Sequence, residues 1–272
     1  MNILIIGGGN MGATYAQSFL RSHVTAEATM CILERDAAKA AELATRKIGR
    51  VTADAAAAVP EADLIVLAVK PQDAAALFAT LRPLVHDRQV VLSIMAGITV
   101  GRIQRGLALD KVVRAMPNLP AQVHEGTTAY TASPGVTRLE LAMVQNLLAT
   151  TGKHIYVERE GMLDAATAVS GSGPAYVFYF MRAMMAHAER LGFSASEAEL
   201  LVLQTFAGAI SLYQANDLDC EAWIARVSSK GGTTEAAMSS FDAARLGDGI
   251  AEGLQAAFER AVALGRPTRE VH

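Results

Sequence analysis

Short continuous apolar runs alternate with helical patterns over the first 160 residues. Asn2–Ile6 reads as a strand, followed by a glycine-rich turn and a helix from Asn10 to Ser22. Thr29–Glu34 reads as a second strand and Asp36–Lys47 as a second helix. Asp63–Val69 (DLIVLAV) and Gln89–Met95 (QVVLSIM) are apolar at successive positions, the signature of strands buried on both faces of a parallel sheet, and Lys111–Met116 adds a further strand. Strands alternating with helices predict βαβ units and a doubly wound parallel α/β sheet.

Beyond Glu160 strand signals cease and the pattern is helical to the end. One helix starts near Pro174, a residue suited to the first helical turn. Another follows Ser194-Ala-Ser-Glu197, a capping box, and a last one spans Leu246–Leu264. Two domains are expected, 1–160 and 161–272. Pro174–Ala186 is apolar on every face apart from Arg182, and Leu200–Tyr213 is nearly as uniform. Helices of this kind must be covered all round. Either the sheet domain covers one of them, or a second copy of the chain does; a homodimer built through this half is the expectation.

The bulk numbers narrow the class. Of the residues 51% are hydrophobic and 19% charged, which excludes a disordered chain. A net charge of −3 gives no basic footprint for nucleic acid or an anionic membrane. No apolar run approaches the roughly 18 residues of a membrane span, and no basic segment precedes Ile3 as in a signal peptide, so a cytoplasmic protein is expected. Two cysteines, Cys31 and Cys220, and dispersed histidines (His23, His86, His124, His154, His187, His272) show no metal-ligand or triad pattern, and no metal is expected.

Two stretches carry chemistry. Gly7-Gly8-Gly9-Asn10-Met11-Gly12 matches G-x-G-x-x-G between a strand and a helix. Gly7 makes the tight turn, Gly9 admits a pyrophosphate to the backbone and Gly12 lets helix and strand pack closely, with the phosphates on the helix N-terminus. Glu34, 22 positions past Gly12, completes a dinucleotide fingerprint. Glu34 could accept the ribose 2′-hydroxyl of NADH, or Arg35 could pair with the 2′-phosphate of NADPH; the residues leave both open. Ala68-Val69-Lys70-Pro71 closes a buried strand and so faces the crevice where ligands bind in such sheets. In the second half, Ser228-Ser229-Lys230-Gly231-Gly232-Thr233-Thr234-Glu235 places hydroxyls and glycines before a helix, an arrangement suited to a carboxylate or phosphate and equally that of an ordinary capped loop. Ser170-Gly171-Ser172-Gly173-Pro174 permits close approach of a ligand or of another helix.

These segments, with VLSIMAGIT at Val91–Thr99, RAMPNLPAQVHEGTTAY at Arg114–Tyr130, TAVSGSGPAYVF at Thr167–Phe178 and VSSKGGTTEAAM at Val227–Met238, make the chain resemble the pyrroline-5-carboxylate reductases from end to end. The resemblance implies a Rossmann domain joined to an all-helical dimerisation domain, a homodimer and in some members a ring of dimers. It implies reduction of (S)-1-pyrroline-5-carboxylate to L-proline with NADPH, NADH being the alternative donor. It also implies that Gly7, Gly9–Gly12, Glu34, Arg35, Ala68–Pro71, Asn118 and Ser172 face the cofactor. Ser229 and Gly231–Thr234 would cradle the substrate carboxylate, with the Thr234 hydroxyl at the ring nitrogen. Lys230 stands where the family usually has proline, which bears on loop rigidity. A hydroxyacid-type dehydrogenase would carry a lysine on the first inter-domain helix, and Pro174–Leu191 has none.

Overall fold

The computed structural model describes residues 1–265; His272 lies outside them. In the first part, strands β1 (Ile3–Ile6), β2 (Met30–Leu33), β3 (Arg50–Thr52), β4 (Leu64–Leu67), β5 (Val90–Ser93), β6 (Val112–Met116), β7 (Gly126–Ala132) and β8 (Gly152–Tyr156) form one sheet. Helices α1 (Asn10–Arg21), α2 (Ala37–Thr45), α3 (Ala55–Ala58), α4 (Ala74–Leu81), α5 (Val100–Leu107) and α6 (Arg138–Ala149) connect them. The chain continues through α7 (Met162–Ala166), a π-helical turn at Thr167–Gly171, α8 (Gly173–Arg190), α9 (Ala195–Gln214), α10 (Cys220–Val227), α11 (Thr233–Ala243) and α12 (Leu246–Gly265).

The strand order is β3-β2-β1-β4-β5-β6-β7-β8. All neighbours are parallel except β6 and β7. The sheet is therefore the expected doubly wound one, extended by three strands that sequence periodicity does not reveal, β3, β7 and β8. β1 is the switch point, since the chain leaves it to β2 on one side and later returns to β4 on the other.

Alternation along each central strand builds a core on both faces. Ile3, Ile5, Leu64 and Val66 pack with Tyr15 and Phe19 of α1 and Val144 and Leu148 of α6. Leu4, Ile6, Ile65 and Leu67 pack with Phe78 and Leu81 of α4 and Ile103 and Leu107 of α5. Each such side chain, fully buried, contributes about 1.5–3 kcal/mol. Burial pushes the Cys31 thiol in β2 upward, so it is an inert part of this core, whereas Cys220 is exposed.

The chain divides into two compact units, one formed by Met1–Ser172 with the chain from Ala257, the other by Gly173–Ala256. The second unit is helical. Ser194 caps α9 as expected: its hydroxyl takes the Glu197 N–H, and the Glu197 carboxylate takes the Ser194 N–H at 2.8 Å. No described helix is long and apolar enough to cross a membrane.

Candidate functional site

In the first unit, the turn after β1 is fixed by contacts that only glycine permits. Gly7 has φ +102°, and its N–H bonds the Leu33 carbonyl at the end of β2 at 3.0 Å. A Cβ on Gly7 would stand 2.8 Å from the Ala68 carbonyl oxygen. A Cβ on Gly12 would stand 2.0 Å from the Gly7 carbonyl oxygen, so α1 could not approach the turn. At Gly9, in contrast, nothing lies within 4 Å of the position a Cβ would take. Gly9 is the N-cap of α1 and no side chain caps that helix, so the N–H groups of its first turn point outward without an intrahelical acceptor. A free helix start with open space at its cap fits a pyrophosphate. Asn10 is exposed and Met11 partly so.

Glu34 is buried, and both carboxylate oxygens are engaged by backbone. Oε2 accepts from the Gly8 N–H at 3.0 Å and Oε1 from the Asp36 N–H at 3.0 Å. The residue at the end of β2 thus holds the glycine turn. Arg35 is exposed and donates to Asp73 Oδ1 at 3.1 Å. Ala68 and Val69 lie against Gly7. Lys70 is exposed, and Pro71–Asp73 forms a short 3-10 turn leading into α4.

Asn118, just past β6, is held at both ends. Its Nδ2 donates to the Ser170 carbonyl at 3.1 Å, and its Oδ1 accepts from the Thr127 N–H at 2.8 Å. It thereby fixes the π-helical turn, which closes with the Ser172 N–H on the Thr167 carbonyl at 2.9 Å. Such turns inside helices recur at functional sites. Arg114 of β6 supports the same region. Its buried guanidinium bonds Glu160 Oε1 at 3.0 Å and Asp164 Oδ1 at 2.9 Å, and Glu160 also takes the Val100 N–H that starts α5. Sequence reasoning missed this cluster. The available signal was a charge in the middle of an apolar strand, which requires buried partners.

In the second unit, the loop between α10 and α11 turns at Gly231, where φ is +74°. The Gly232 N–H bonds the Ser229 carbonyl at 2.9 Å, and a Cβ on Gly232 would collide with Ser229 Oγ at 2.4 Å. The Gly231 N–H is taken by the Glu235 carboxylate at 2.6 Å. Gly232 caps α11 without a side-chain bond, so the N–H groups of Thr233 and Thr234 in the first turn have no intrahelical acceptor. Thr234 is half-buried, and Ser229, Lys230 and Thr233 are exposed. The loop thus presents N–H groups free of intrahelical acceptors, and one N–H beside them is taken by the protein's own carboxylate. The sequence stretch includes Glu235, but its bond back to the Gly231 N–H was not foreseen. His124 is structural: its Nδ1 faces the Thr150 carbonyl at 2.8 Å, and its Nε2 lies 3.2 Å from Arg21.

Two family models match separate parts of the chain. Residues 160–264 match the family model described as pyrroline-5-carboxylate reductase dimerisation, and residues 2–97 match one described as NADP oxidoreductase, coenzyme F420-dependent. The pyrroline-5-carboxylate reductase of Pseudomonas aeruginosa is 36% identical over 96% of each chain. That of Vibrio alginolyticus is 36% identical over 95% of this chain and 96% of its own. The solved structure of a pyrroline-5-carboxylate reductase from Coxiella burnetii superposes with a TM-score of 0.89 at 31% identity, covering 98% of this chain and 99% of that one. With relatives matched along nearly their whole length, and with both the glycine turn and the SSKGGTTE loop built as described, the chain belongs to the pyrroline-5-carboxylate reductase family.

Proposed function

We propose that the chain reduces (S)-1-pyrroline-5-carboxylate to L-proline, with NADPH as donor and NADH as the alternative. The observation that carries this reading is the end-to-end likeness to pyrroline-5-carboxylate reductases. The bound dinucleotide supplies the hydride that the ring imine carbon accepts.

The chain's own residues bind and orient. The first-turn N–H groups of Asn10–Gly12, reached across the open side of Gly9, receive the pyrophosphate. Arg35 pairs with the 2′-phosphate, and Glu34 shapes the turn beneath it. Ala68–Pro71 walls the crevice, while Asn118 holds the segment of Ser170–Ser172 that faces the cofactor. The substrate carboxylate lies on the Thr233 and Thr234 N–H groups with Ser229 beside it, and gains the Gly231 N–H when Glu235 swings away. The Thr234 hydroxyl faces the ring nitrogen, where it orients the imine and relays its proton; a threonine hydroxyl is too weak an acid to do more alone. Residues 1–160 and 161–272 act as dinucleotide and substrate halves. Two copies pair through the helical half, in the cytoplasm.

Consumption of NADPH with pyrroline-5-carboxylate, beside NADP⁺ reduction with a 3-hydroxyacid, tests the reading. Turnover with the imine alone is expected, and oxidation of the hydroxyacid alone would overturn it. Thr234→Ala is expected to lower kcat/KM about a hundred-fold, the scale of a lost proton-handling group; an unchanged kcat/KM removes the role from Thr234.

A further inference from the structure

An acid at the end of the second strand ordinarily accepts the ribose 2′-hydroxyl of NADH. Glu34 stands there, but its two carboxylate oxygens are taken by the Gly8 and Asp36 N–H groups at 3.0 Å each, and the side chain is buried. Its neighbour Arg35 points elsewhere. The Arg35 guanidinium donates to Asp73 Oδ1 at 3.1 Å, with 80% of the arginine side chain and 36% of the aspartate exposed. Leu33 of β2 and Leu67 of β4 both pair with Ile6, one on each side. The Arg35–Asp73 bond therefore ties together the segments that follow the two strands flanking the glycine turn. A ribose entering over that turn meets a cation and a carboxylate already joined.

We propose that Asp73 sets the choice between NADPH and NADH, competing with the 2′-phosphate for Arg35 and accepting the 2′-hydroxyl in place of Glu34. The inference rests on the reading of the glycine turn as the dinucleotide site. The chemistry of the two ribose substituents differs in sign. A phosphate is an acceptor with close to two negative charges and gains from an unpaired guanidinium, which grips it bidentately. Beside Asp73 it must draw Arg35 away and bear the repulsion of the carboxylate left behind. A 2′-hydroxyl is a donor, so the same carboxylate attracts it, and Arg35 need not move. Because the pair is exposed, the effect tunes preference without abolishing either cofactor.

The test is calorimetric titration of the full chain with NADPH and with NADH, in the absence of substrate, for wild type, Asp73→Asn, Arg35→Ala and the double variant. Asp73→Asn is expected to bind NADPH about five-fold tighter and NADH about five-fold weaker, the scale of one exposed charge pair. The gain for NADPH should vanish in the Arg35→Ala background. An unchanged ratio of the two affinities in Asp73→Asn overturns the inference, as does the same NADPH gain with and without Arg35. Wild type binding neither dinucleotide would overturn the reading of the turn along with it. Wild type binding both, with the ratio unmoved by Asp73→Asn, overturns the inference alone.

Discussion

Single residues here do work that their position in the sequence does not disclose. Glu34 stands where a ribose acceptor belongs, yet it is spent on two backbone donors. Glu34→Gln would turn an amide NH₂ toward one of those N–H groups, leaving a buried donor unmatched at a cost of about 1–3 kcal/mol. Urea unfolding should show that loss, and NADPH and NADH affinities should fall together; a loss confined to NADH would return the ribose role to Glu34. Glu235 has the opposite character: it is exposed, and its carboxylate holds the Gly231 N–H that a substrate carboxylate would use. Glu235→Gln is expected to lower the KM for pyrroline-5-carboxylate by up to about five-fold with little change in kcat, the measure of one removed surface repulsion. The positions of Glu34, Arg35 and the GGTT loop were legible because motif spacing fixes them. Their partners were not, because Asp36, Asp73 and Glu235 reach them through turn geometry that no periodicity records.

Elements were legible in proportion to how completely they are buried. β1, β4 and β5 are apolar at every central position and declare themselves, whereas β3 is three residues long and β8 (GKHIY) is largely exposed at the sheet edge. β7 (GTTAYTA) has three threonines and a leading glycine and hides among loop-like residues, although its antiparallel pairing with β6 carries the sheet onward. The π-helical turn at Thr167–Gly171 likewise shows no signal of its own in the sequence, and Asn118 reaches its Ser170 carbonyl from a distant segment. Helix starts are governed by caps, as at α6, where Thr137 and Glu140 form a capping box and Lys111 bonds Glu140 at 2.6 Å. Partial burial pushes the Glu140 carboxyl up, but the Lys111 and Thr137 hydrogen bonds outweigh it and hold the group below the ordinary carboxylate range. A depressed folded-state value stabilises the fold above the unfolded pKa, and that contribution is lost as pH falls through the folded one. Glu140→Gln should therefore cost up to about 1 kcal/mol at neutral pH, with the difference from wild type closing in acid. Thermal midpoints measured from pH 7 to pH 3 check this; a gap that persists at the acid end contradicts it.

On the scale of the whole molecule, the excess of apolar residues over charged ones finds its place in the second unit. No residue of α8 is buried within the single chain, and Phe178, Tyr179 and Leu200 are each at least 60% exposed. An apolar recess of about 430 Å³ opens between α8 and α12, lined by Tyr176, Tyr179, Phe180, Leu246, Ile250 and Leu254. Surfaces of this size on a chain of modest net charge call for a second copy. Phe178→Asp should shift the sedimenting species from dimer or larger towards monomer, since burying one such ring contributes about 1.5–3 kcal/mol. An unaltered mass would place the interface elsewhere. The reaction itself is hydride transfer to the ring imine of pyrroline-5-carboxylate. NADPH carrying two deuterium atoms at nicotinamide C4 tests it directly, because one deuterium must pass to the product whichever face is used. Mass spectrometry should find L-proline with a single deuterium at C5, one molecule for each NADPH oxidised; unlabelled proline, or cofactor oxidation without proline, would contradict it.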